Sequence, residues 1–182
     1  KVDSCQFNNT FWGREFIVNV KQISSDGRKY RLVQSRFEIH AFDGVKKTNL
    51  LPVMPMTPDV KAQLVKRGKF YSDIANKVSY LDYSGHLVFR EWFGSQMYQA
   101  AGRCMIDQVS FFRQHPRYEY KNSEEQELEK IPDDMLFACK PRICGFSFAT
   151  KRWGELSLDQ LSDVKFNNDA FDTLVLSKET KH

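Results

Sequence analysis

"REFIVNVKQISSDGRKYRLVQSRFEIHAFDG", residues 14–44, is the stretch whose reading decides the fold. Its first third alternates: Phe16, Val18 and Val20 share one face, while Glu15, Asn19 and Lys21 share the other. A period of two marks a strand with one buried face. Asp26-Gly27 then carries a hairpin signal, because Gly accepts the positive φ that a tight reversal needs. Residues 30–42 repeat the strand pattern, and Asp43-Gly44 marks a second turn. "KTNLLPVM", 47–54, predicts a third short strand. Pro52 and Pro55 suit its edge or exit, since neither can donate to a ladder. The first 56 residues thus read as an antiparallel meander.

The period then changes. Thr57 is placed to cap a helix and Pro58 to begin it, where a missing N–H costs nothing. Val60, Leu64, Tyr71, Ile74 and Val78 recur at helical spacing, predicting a helix over 57–78. Lys61, Lys66, Arg67 and Lys69 crowd its middle, with Gly68 among them. A glycine there weakens the helix by roughly 1 kcal/mol against Ala, and often lets another backbone come close. Further on, "SYLDYSGHLVFREWF" predicts a hairpin turning at Ser84-Gly85, and "GRCMIDQVSFF" a strand. "KNSEEQELEK" reads as a polar loop or a frayed helical turn. Residues 132–159 give a short lead-in and a last hairpin turning near Thr150-Lys151, with Trp153 expected to cover Phe146 or Phe148 across the pair.

The fold class expected is α+β: antiparallel hairpins forming a small barrel or sandwich, with the 57–78 helix packed on it. The 182 residues fit one domain and can bury about 70% of their unfolded surface. Aromatic residues make up 14% of the chain but are spread along it, which points to a β core before a stacking surface. Net charge is +4, a milder and less clustered excess than nucleic-acid binders carry. No apolar run approaches the roughly 18 residues of a membrane span. The chain opens on Lys1, so a fragment is expected, and four mostly widely spaced cysteines suit reduced thiols in an intracellular protein, cytoplasmic or nuclear.

Motif chemistry is sparse. None of the nine glycines falls in GxxxxGK[ST], GxGxxG or G-x-S-x-G. Ser84 and His86 flank Gly85 as turn chemistry, and Asp133-Asp134 read as first-turn acids beside Pro132. Cys5, Cys104, Cys139 and Cys144 include one close pair, and the four His lack H-x₃₋₅-H spacing, so neither metal nor cofactor is expected. The basic set Lys66, Arg67 and Lys69 could meet phosphates or simply face solvent. Trp92 and Phe93, beside Gly94, read either as partner contacts or as core.

Several motifs in fixed order carry a resemblance. They are Phe42–Gly44 with Leu51-Pro52, Arg67-Gly68, "GRCMID" at 102–107, "CKPRICGFS" at 139–147, "KRWG" at 151–154 and "NNDAFDTLVL" at 167–176. Together they resemble the domain upstream of the ATPase module in a mainly fungal family of AAA+ ATPases. The resemblance implies a non-catalytic recognition or regulatory domain over 1–166 that binds client or adaptor proteins. It implies that 167–182 starts a linker, with Phe171, Leu174, Val175 and Leu176 docking on the ATPase module or closing this domain's own core. ATP and Mg would belong to that module. A nucleic-acid-binding module using the basic helix and the aromatics is the alternative.

Overall fold

The computed structural model describes residues 1–10, 13–91, 94–118 and 126–165. The opening meander is three long strands: β1 (Val2–Thr10), β2 (Gly13–Ser25) and β3 (Tyr30–His40). Phe16 pairs with Phe7 on one side and Ile39 on the other. The β2–β3 turn is held by Asp26, whose Oδ1 accepts from the amides of Arg28 and Lys29, each at 2.9 Å. Partial desolvation pushes this carboxyl up; the two amides and the Arg31 guanidinium outweigh it and set it below the ordinary value.

Burial on β2 differs from simple alternation. Val18 and Val20 are buried as expected, but Phe16 is 40% exposed, and Ile17 and Ile23 on the other face are fully buried. The second half of β2 is covered on both faces, because it runs into the body of the molecule. There β1 has ended, and Cys139 takes over its edge with a parallel bridge to Ile23.

The expected third strand is absent. Thr48–Leu50 form a 3₁₀ turn instead, with Leu50 N donating to Lys47 O at 3.0 Å. Pro52 and Pro55 remove two of the donors a third ladder would use. The helix follows as α1 (Pro58–Ile74), and Thr57 Oγ1 accepts from Val60 N at 3.3 Å. It stops short of Val78, which is exposed.

The second sheet is the barrel. β4 (Ser79–Glu91) and β5 (Gly94–Ile106) pair along their whole length. β7 (Arg142–Ser147) joins β5, β8 (Arg152–Ser157) joins β7, and β8 closes on β4 through Val88 and Glu155. Closure leaves these four strands with little open edge. β9 (Leu161–Ser162) adds to β4. A Cβ on Gly145 would lie 2.6 Å from Met105 O, and one on Gly154 2.8 Å from Val88 O. These paired, side-chain-free positions let β7 and β8 close so tightly.

Ser84-Gly85 is not a turn. β4 runs straight through it, and the chain reverses between Glu91 and Gly94. Gly85 makes room instead: the Tyr83 hydroxyl sits 2.8 Å from where its Cβ would be, and donates to His86 O at 2.9 Å. "GRCMIDQVSFF" also splits. β5 ends at Ile106, and Asp107 caps a second helix, α2 (Gln108–Gln114), by accepting from Ser110 N at 2.9 Å. In the polar segment 121–130, β6 (Gln126–Leu128) is a strand, paired with Tyr30–Leu32 of β3.

The last hairpin is where the sequence puts it, with Ser147 opposite Arg152 and Lys151 at φ 55°. Phe146 faces Trp153 with ring centroids 5.3 Å apart. One continuous core joins Ile23 and Tyr30 of the meander, Tyr71 and Ile74 of α1, and Leu87, Cys104, Ile106, Ile143 and Leu156 of the barrel. The fold is therefore mostly antiparallel β, with a small closed barrel and a few helices. No helix among the described residues is long and apolar enough to cross a membrane.

Candidate functional site

The residues singled out from the sequence do not assemble into one site. Lys66 and Lys69 are exposed on α1, but Arg67 between them is half-buried. Its Nη1 lies 3.5 Å from Asp159 Oδ2, tying the helix to the 3₁₀ turn Leu158–Gln160. Trp92, Phe93, Phe171, Leu174, Val175 and Leu176 lie outside the described residues, as does the proposed 166/167 boundary. Ser84 and His86 are both exposed on β4. Asp133 and Asp134 occupy the first turn of the 3₁₀ helix Asp133–Ala138, also exposed. Among the described residues, no group of three or more His, Cys, Asp or Glu is placed to hold a metal.

What the fold does bring together is a cleft of about 480 Å³ between the meander and the barrel. From β2 and β3 it takes Gln22, Ser24, Ser35, Arg36 and Phe37. From α1 it takes Tyr71, from β4 Arg90, and from β7 and its approach Lys140, Pro141, Arg142 and Cys144. From the outer face of β8 come Glu155 and Ser157. Alternation on β8 explains this: Leu156 points into the barrel, so its neighbours point out.

Glu155 organises the cleft. It is buried, a position that a carboxylate holds only with partners. Arg90 Nη2 lies 3.0 Å from its Oε2 and Arg142 Nη1 3.7 Å from the same oxygen. Both guanidiniums keep roughly half their surface in solvent. Arg36 borders the cleft from the edge of β3, but its side chain lies on the other face of the meander, paired with Glu38 at 2.8 Å and with Glu15 at 3.4 Å. Lys140 is fixed through its backbone, its N donating to Ile23 O at 2.9 Å. Ser35 Oγ donates to Gln22 Oε1 at 2.7 Å. Cations, hydroxyls and amides line one cavity, a surface suited to an anion.

The thiols are structural in character. Burial pushes Cys104 up to about 11 and Cys139 up to about 12, so neither is a thiolate at neutral pH. Cys144 is buried as well, and Cys5 is exposed. An aromatic disulfide reagent at about pH 8 should therefore titrate Cys5 rapidly and the other three only after denaturation. Rapid reaction of two or more thiols in the native chain would show that the core opens.

Sequence reasoning missed Arg36, Arg90, Lys140, Arg142 and Glu155. One signal could have found Glu155: it stands between Gly154 and Leu156 in the middle of a short strand, where both neighbours are buried and a carboxylate needs a cation. A profile for the family described as "Domain of unknown function (DUF7025)" matches residues 1–60, about a third of the chain, covering β1 to β3 and the start of α1. No curated protein and no solved structure matches the chain.

Proposed function

We propose that this chain is a non-catalytic recognition domain that binds a client or adaptor protein, carried ahead of the ATPase module of a AAA+ ATPase, as the resemblance implies. One observation carries the binding part. Arg90, Lys140 and Arg142 reach a single cleft from β4 and from β7 and its approach, while one buried carboxylate, Glu155, stands among them. A structural ion pair needs one cation. Three cations beside one carboxylate make a positive surface, which suits an incoming anionic group. ATP and Mg belong, in this reading, to the ATPase module, with α1 acting as the main brace behind the cleft through Tyr71.

Proximity labelling in cells, with the full-length protein fused to a biotin ligase, tests the reading. Wild type is compared with Lys140→Glu and with Lys66→Glu/Lys69→Glu. A discrete set of protein neighbours should disappear in the cleft variant and persist in the α1 variant. A neighbour set that the cleft variant leaves unchanged sinks the proposal. The nucleic-acid reading gains if the α1 variant loses its neighbours and the purified chain releases oligonucleotide steeply with salt.

A further inference from the structure

We infer that the cleft binds an acidic peptide segment in extended form, with a carboxylate seated among Arg90, Arg142 and Lys140 and the peptide backbone running beside β3. This rests on the recognition reading above and gives its partner a chemistry.

The charge comes first. Arg90 and Arg142 are already aimed at a carboxylate, Glu155, and each keeps roughly half its side-chain surface free for a second one. A guanidinium has five donors in a planar fork, so one Arg can serve two carboxylates. Holding the fork in place beforehand cuts the ordering cost of binding. The edge comes second. Ser35, Arg36 and Phe37 all line the cleft although side chains on a strand alternate, so the strand's edge borders it as well as one face. β2 covers the other edge of β3, and β6 covers this one only at Tyr30–Leu32. Beyond Leu32, this edge has no strand partner among the described residues. An extended peptide can add there through main-chain hydrogen bonds, with side-chain pockets giving specificity.

The surroundings favour a peptide over a nucleic-acid backbone. Glu155 stands inside the cleft, while Glu15 and Glu38 pair with Arg36 on the opposite face of the meander. A chain with a charge at every residue would bring further negative charges past Glu155 and be repelled. A peptide with its acids spaced by neutral residues would not.

Fluorescence anisotropy on the full 182-residue chain tests this. The probes are a fluorescein-labelled alternating Glu-Val hexapeptide, its Gln-Val counterpart and a labelled oligo-thymidylate, with inorganic phosphate as competitor. Glu-Val should bind saturably and at least about tenfold more tightly than Gln-Val, the scale of one charge-assisted hydrogen bond. Lys140→Gln, which leaves the Glu155 pairs intact, should weaken it several-fold with an unchanged thermal midpoint, whereas Arg36→Gln, on the other face of the meander, should leave it unchanged. If Lys140→Gln unfolds, Lys140→Met, which keeps the stem and removes the charge, carries the test.

Equal binding of Gln-Val overturns the inference, since edge pairing alone would then suffice. So does oligo-thymidylate binding better than Glu-Val and being lost in the same variants, or phosphate displacing the peptide completely at low concentration, which would make the site one for a free anion. Failure of Glu-Val to bind also overturns it. If proximity labelling still loses its protein neighbours in the cleft variant, the recognition reading survives that failure.

Discussion

Gly68→Ala should lower the thermal midpoint by roughly 6–12 °C, from a cost of about 3 kcal/mol in a domain of this size. The sign is the point. In an exposed helix interior the same change stabilises by about 1 kcal/mol, because Ala loses less backbone freedom than Gly. Here a Cβ would sit 2.0 Å from Leu136 O and 2.6 Å from its carbonyl carbon. Both atoms are backbone, so no side chain can swing aside. α1 and the 3₁₀ helix Asp133–Ala138 would have to part, and Tyr71, Ile74 and Leu136 would lose packing with them. Tyr71 also lines the cleft, so affinity for the Glu-Val peptide should fall together with stability. Differential scanning calorimetry decides it: a midpoint unchanged or raised would mean that the helices do not touch at Gly68.

That contact was legible in outline. A glycine amid four basic residues has no local use in a helix, and close backbone approach is what remains. The β2–β3 hairpin was equally readable, because Asp26-Gly27 and the alternation around it are local facts. So was the start of α1 at Thr57, and the β7–β8 reversal near Thr150-Lys151. The failures share a cause. Ser84-Gly85 has turn chemistry, but its glycine answers a ring hydroxyl on its own strand, and the real reversal lies between Glu91 and Gly94. Asp107 read as the interior of a strand, because its capping role depends on where β5 must stop. "KTNLLPVM" had strand residues but no partner to pair with. The candidate cleft was the least legible of all. Arg36, Arg90, Lys140, Arg142 and Glu155 each look like an ordinary surface charge, and only closure of the barrel against the meander brings them together.

Phe111→Ala is expected to be the most damaging single substitution, at about 3–5 kcal/mol or a fall of roughly 6–20 °C in the midpoint. Phe111 is fully buried on α2. Its ring centroid lies 4.7 Å from Tyr118, 5.0 Å from His115, 5.2 Å from Phe112, 6.2 Å from Trp153 and 6.4 Å from Phe89. These rings come from β4, β8, α2 and the turn after it, so no single element can collapse into the space. The effect should reach the cleft through Tyr118. Its hydroxyl accepts from Arg90 N at 3.0 Å and so holds the end of β4 from which the Arg90 side chain reaches Glu155. Burial, followed by the nearby Glu155 charge, pushes the Tyr118 phenol well above its ordinary range. Removing the Phe111 ring admits water and relieves the burial, so the Tyr118 pKa should fall towards the usual tyrosine value. Ultraviolet titration of the folded variant should then show one tyrosine ionising earlier than in wild type, with weaker binding of the Glu-Val peptide. Phe111→Leu, which refills most of the volume, should recover more than half of the lost stability. An unshifted tyrosine titration in a folded Phe111→Ala chain would show that Tyr118 is held by other contacts, and that the aromatic cluster does not support the cleft.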